Sequence, residues 1–150
     1  MIKDNMKAKG RLKIVITGKD GSIKDSREVD NLIVATGLGF IASRMKDATA
    51  TAMSHMELGT GTTAAASGDT ALETAISGSR ISLTSTTVTD NAVEYVATFG
   101  AGVGTGAVTE AGILNAASGG TLLCRTVFDV VNKGASDSMS ITWTVTISAS

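Results

Sequence analysis

Gly37, Gly39 and Ala42 follow the β-branched run of "IVATGLGFIASRM" (residues 33–45), and Glu57 stands roughly twenty residues beyond them. A G-x-G-x-x-A turn opening a helix, with an acidic residue at that interval, is the arrangement that binds a dinucleotide. The glycines admit the pyrophosphate to the helix N-terminus, and the carboxylate takes the ribose. That chemistry needs a βαβ unit in a parallel sheet with further crossover helices, and beyond residue 80 the chain offers no helical periodicity. The two glycines are therefore read as a tight strand-to-helix corner with Phe40 and Ile41 closing one end of the fold, and no cofactor is expected.

The other candidate residues lead to the same place. "GAGVGTG" (residues 100–106) resembles a phosphate-cradling loop, but no Lys-Ser or Lys-Thr follows it and no helix opens after it. His55 is the one histidine and Cys124 the one cysteine, which leaves zinc without partners and a nucleophile without a base. Cys124, within "LLCRT", reads as a small core residue, and His55 as a satisfied strand residue. Glu57, Glu73, Glu94 and Glu110 are scattered singly, with no pair spaced for acid/base work. Arg44, Arg80 and Arg125 are expected in salt bridges or interface contacts. An enzyme is not expected, nor is a metal site.

The elements that would position these residues follow from composition and period. With 150 residues the chain has the length of one domain, spanning 1–150, with a short charged arm at about 1–9. A net charge of -1 gives no electrostatic reason for nucleic acid or an anionic membrane as partner. No apolar run reaches the roughly 20 residues of a membrane span, and no signal-type segment follows the charged start, so a soluble chain folding in a cytoplasm is expected. Proline is absent and aromatic residues make up only 3%, so the core must be built from small side chains, and oligomerisation or docking would add stability.

Leu12, Ile14 and Ile16 alternate with smaller or polar residues up to a turn at Asp20-Gly21, and an extended pattern resumes over 23–34, as in a β-hairpin. A short helix is expected at about 37–46, with Thr36 as its cap. "GTGTTAAASGDT" reads as a long loop too small and polar to pack, and "TALETAI" as one helical turn behind Asp69. From Arg80 the period becomes two. "RISLTSTTVT" and "AVEYVATFG" should pair across Asp90-Asn91, with Val93, Tyr95, Ala97 and Phe99 on one face. "VTEAGILNA" is a further strand, "TLLCRTVFDVV" is apolar on both faces and hence central, and "SITWTVTIS" points Ile141, Trp143, Val145 and Ile147 inward. The expected fold is mainly β: an antiparallel β-sandwich, jelly-roll-like, of about eight strands with one short helix.

Three stretches, "NLIVATGLGFIASRM", "MSHMELGTGTTAAASGDTAL" and "TEAGILNAASGGTLLCRTVFDVVNKGASDSMSITWTVTIS", together covering most of the chain, resemble a group of small virion structural proteins of tailed bacteriophages. Similar sequences occur both among head-decoration (cement) proteins and among tail-fibre or baseplate adaptors. The resemblance implies a non-enzymatic subunit of a repetitive assembly in the virion, put together in the host bacterial cytoplasm. A cement protein would bind the major capsid protein on the outer head surface, as a homo-oligomer and in the form of a trimer, and tie capsomers together. The alternative is an adaptor bound to tail proteins. The candidate interface residues are Lys3, Lys7, Lys9 and Arg11 of the arm, Gly59, Thr60, Gly61 and Thr62 of the long loop, and Gly100, Gly102, Gly104 and Gly106 of the glycine-rich tip.

Overall fold

The computed structural model describes residues 6–46 and 50–149. In chain order the elements are β1 (Met6–Thr17), β2 (Ile23–Ile33), α1 (Ala35–Ser43), β3 (His55–Gly59), β4 (Ile81–Ser82), β5 (Ser85–Thr89), β6 (Ala92–Phe99), β7 (Gly106–Leu114), β8 (Leu122–Lys133) and β9 (Ser138–Ala149). All strand pairs are antiparallel, and they form one nine-stranded sheet in the order β4-β3-β7-β8-β2-β1-β9-β6-β5.

A mainly β, antiparallel fold is as expected, but it is a single curled sheet, a half-barrel, and not a two-sheet sandwich or jelly roll. The reason lies in β2. Its residues 23–31 pair with β1, while Leu32 and Ile33 pair with Arg125 and Cys124 of β8. One strand thus serves both halves, and the inner faces of those halves close on a common core of Leu12, Ile14, Trp143, Met56, Leu58 and Ile113, among others. Period-two patterning reports that one face is buried; it does not tell a second sheet from the far side of the same one.

The expected strand "RISLTSTTVT" divides into β4 and β5, which raises the count to nine. These two strands are the edges of the sheet and are consecutive in sequence. Leu83 donates its N–H to Ser54 O and Thr84 to Val96 O, which carries the chain from the β3 side of the opening to β6. The β5–β6 hairpin turns at Asp90-Asn91 as expected, with Asp90 at φ +51°, and Tyr95, Ala97 and Phe99 point inward. β8 is an interior strand and Cys124 is core, both as expected; burial pushes the Cys124 thiol well up from its ordinary pKa.

The helix occupies Ala35–Ser43, starting before and ending short of the expected 37–46. Val34 is its N-cap and no side chain caps it; the Thr36 hydroxyl donates instead to Leu122 O at 2.9 Å. Gly37 is buried against the Leu123 backbone, where a Cβ would overlap the carbonyl oxygen, whereas Gly39 faces open space. The close approach of α1 to β8 therefore needs only the first glycine. The expected helical turn at "TALETAI" is absent: Ala75 instead forms a bridge to Gly59. Of the expected arm, residues 6–9 are part of β1, paired with Ala149 through Thr146 of β9, because the terminal strands run side by side over their full length.

Candidate functional site

Residues 60–80 cross the outer face of β3, β7 and β8, a segment rich in Gly, Thr, Ala and Ser with little apolar area to bury. Its order comes from carboxylates that collect backbone N–H groups. Glu110, fully buried on β7, accepts from Gly61 N at 3.0 Å and Thr74 N at 2.7 Å through Oε1. Its Oε2 accepts from Glu73 N at 3.0 Å and from Arg125 Nε at 2.8 Å. Four donors fill the four lone-pair directions of the carboxylate, leaving none for a metal or a transferred proton.

Arg125, buried on β8, spends the rest of its fork on Asp69 Oδ2 (2.8 Å) and Thr63 O (3.0 Å). Burial pulls the guanidinium down, but its bonds to Glu110 and Asp69 outweigh that and hold it above its ordinary pKa. Glu73 accepts from Thr62 N and Thr63 N, and Asp69 from Ala66 N. Glu73 is held below the usual carboxylate range by the Thr63 and Thr62 hydrogen bonds, and Asp69 by the Ala66 N–H and then Arg125, with burial opposing. Glu57, the acidic residue of the apparent dinucleotide fingerprint, is likewise occupied: Arg80 reaches both its oxygens, at 3.0 and 3.2 Å, and continues to Gly119 O at 2.8 Å.

The loop expected to be too small to pack is thus a docked layer: Glu110, read from the sequence as a single acid, and Asp69 both bind Arg125, while Glu73, another of those single acids, holds Thr62 N and Thr63 N and donates its own N–H to Glu110. Gly59 and Gly61 are buried against the Glu110 side chain, which a Cβ at either would strike; Thr60 and Thr62 are exposed. The tip is anchored as well. Lys133, buried at the end of β8, donates from Nζ to Gly100 O and Asp137 O, each at 2.8 Å, and Gly102 N donates to Ala135 O at 2.9 Å. Gly102, Gly104 and Gly106 all have positive φ, and Gly104 is buried against Leu58. Asp137 sits in the same turn with Lys24 Nζ 3.0 Å away, and that lysine and the Gly134 N–H hold its carboxyl below the usual range.

Lys7, Lys9 and Arg11 lie on the outer face of β1, and Lys13 continues the row, all exposed and at every second position. The row borders an open groove of about 760 Å³ shared with Glu28 and Asp30 of β2 and Thr142, Thr144 and Thr146 of β9. Arg11 bridges to Glu28 at 2.7 Å; among the described residues Lys7, Lys9 and Lys13 make no ion pair. Lys3 lies outside the described residues. The sequence candidates therefore fall on three places: the β1 face, the docked segment, and the tip at the opposite end from α1.

Sequence reasoning missed Glu110 and Arg125 as a pair. The available signal was a lone acid in "VTEAGIL" and a lone base in "LLCRTVF", each a charge inside an otherwise apolar strand that demands a partner. Among the described residues no group of His, Cys, Asp and Glu could hold a metal ion, and no helix is long and apolar enough to cross a membrane. Comparison with protein-family models, with curated proteins and with solved structures found no match.

Proposed function

We propose that the chain is a non-enzymatic structural subunit of a tailed-phage virion that decorates the outer surface of the head and braces contacts between copies of the major capsid protein. The observation that carries this reading is the cation row on β1. Lys7, Lys9, Arg11 and Lys13 stand on an interior strand of the sheet, flanked by β2 and β9, with side chains roughly 7 Å apart along one face. Such a face is broad and mixes cations with the threonines of β9. It suits docking on an acidic protein surface, where complementary charge speeds encounter and fixes register. The pinned 60–80 segment and tip support the reading, since loops already ordered cost less to immobilise on docking.

The test is to label intact particles with a gold-tagged antibody against this chain and locate the gold by electron microscopy. Dense label over the head is the expected result, reduced when Lys7 and Lys9 are both replaced by Glu. Label confined to the tail would replace the decoration reading with the tail-adaptor one, and particles without label would overturn both.

A further inference from the structure

At the end of the half-barrel that α1 covers, a cavity of about 330 Å³ opens between the helix, the β5–β6 hairpin and β9. Its walls include Ile41, Met53, Val93, Leu123 and Val145, and the lining is mainly apolar. Four polar residues also border it, Thr86, Asn91, Tyr95 and Arg44, and of these Asn91 already donates to Ile147 O at 2.7 Å. Tyr95 projects inward from β6 and is 8% exposed, and among the described residues its hydroxyl makes no hydrogen bond. Arg44, just past the C-terminus of α1, lies over the Phe40 ring with its guanidinium carbon 5.7 Å from the ring centre. One of its nitrogens donates to Ala50 O at 3.1 Å, and no carboxylate pairs with it among the described residues.

Arg44 differs from the paired charges described above and stands exposed at the rim of the cavity. Glu110, Arg125, Glu57, Arg80, Lys133 and Asp137 all have their partners; Arg44 stands at an apolar cavity with most of its planar donor fork unused. We propose that the cavity is a binding site for an apolar chain ending in a carboxylate, the class of a medium-chain aliphatic acid. The chain would fill the apolar walls, Arg44 would take the carboxylate with two parallel N–H bonds, and the Tyr95 hydroxyl would donate a third. Burial pushes the Tyr95 phenol up to about 12, with Arg44 opposing, so the hydroxyl keeps its proton and serves as a donor throughout the neutral range. The cavity volume is at the lower end of what small-molecule sites span, which favours a short chain over a long one.

The probe is octanoate, with 1-octanol and acetate as controls, titrated into the full-length chain and followed by calorimetry and by the methyl resonances of Ile41, Met53 and Val93. The expected result is saturable binding of octanoate that shifts those methyls, with octanol about tenfold weaker and acetate without effect on them. Arg44→Gln, a change at the exposed rim that leaves the core intact, should bring octanoate down to the level of octanol, and Tyr95→Phe should weaken it several-fold. Equal binding of octanol and octanoate would overturn the assignment, as would acetate alone competing, or no saturable shift at millimolar octanoate.

Discussion

Glu110 Oε2 and Arg125 Nε meet at 2.8 Å between the neighbouring strands β7 and β8, both side chains sealed from solvent beneath the 60–80 segment. A buried ion pair contributes little over a hydrophobic one of equal volume, but removing one partner strands the other and costs about 3–5 kcal/mol. Glu110→Gln should therefore cost about that much, since the amide nitrogen would face the donors Glu73 N and Arg125 Nε. Urea unfolding of the variant and its parent checks it. The further expectation is that Glu110→Leu combined with Arg125→Met costs less than the sum of the single changes.

Acid should loosen the docked segment before it unfolds the sheet. Asp69 and Glu73 have folded-state pKa values below the ordinary carboxylate range. A depressed carboxylate adds stability that is fully present above the unfolded pKa of about 4 and is lost as pH falls through the lower folded value. Amide exchange at Thr62, Thr63 and Ala66, whose N–H groups bond to these carboxylates, should speed up below about pH 4 while β1 and β9 stay protected.

The faces of the strands were legible because burial follows a period of two. Trp143, Ile141 and Val145 are each 4% exposed or less, and the rule that assigned them inward needs nothing but local alternation. The same rule was blind to closure, because the switch of β2 from β1 to β8 at Leu32 is a long-range pairing with no local mark. It was equally blind to the candidate site. The partners of Arg125 lie 15 residues away at Glu110 and 56 away at Asp69. Nothing in "GTGTTAAASGDT" reveals that its N–H groups will be collected by acids elsewhere.

Trp143 is fully buried on β9, paired in register with Leu12 on one side and Tyr95 on the other, at the centre of the core. Truncating this side chain would leave a cavity at the centre of that core, which the surrounding strands could close only in part. Trp143→Ala should cost about 3–5 kcal/mol, read as a fall in denaturation midpoint with the slope unchanged.

Gly37 and Gly39 look alike in sequence and should respond in opposite directions. A Cβ at Gly37 would overlap the Leu123 carbonyl, part of the β8 backbone, so α1 must lift off the sheet; Gly37→Ala should cost about 1–3 kcal/mol. Gly39 meets nothing within 4 Å, and its helical position makes Gly39→Ala worth about 0.5–1 kcal/mol of added stability. Thermal melts of the two variants should bracket the parent, with the Gly39 variant rising by about 1–4 °C.

Lys133 links the tip to the β8–β9 turn through one ammonium. Burial pulls its pKa below the ordinary lysine value, with Asp137 opposing, so the charge is kept there at a cost and its return is the pair of bonds to Gly100 O and Asp137 O. Lys133→Met keeps an unbranched apolar stem out to the ε position and removes both bonds, leaving two carbonyls short of a donor, for a loss of about 1–3 kcal/mol. The loss should be local in its first effect. The Gly102 N–H, bonded to Ala135 O at 2.9 Å across that junction, should exchange faster by a larger factor than amides of β3 or β7. A variant in which Gly102 and the β7 amides speed up together would mean that the tip and the sheet open as one unit.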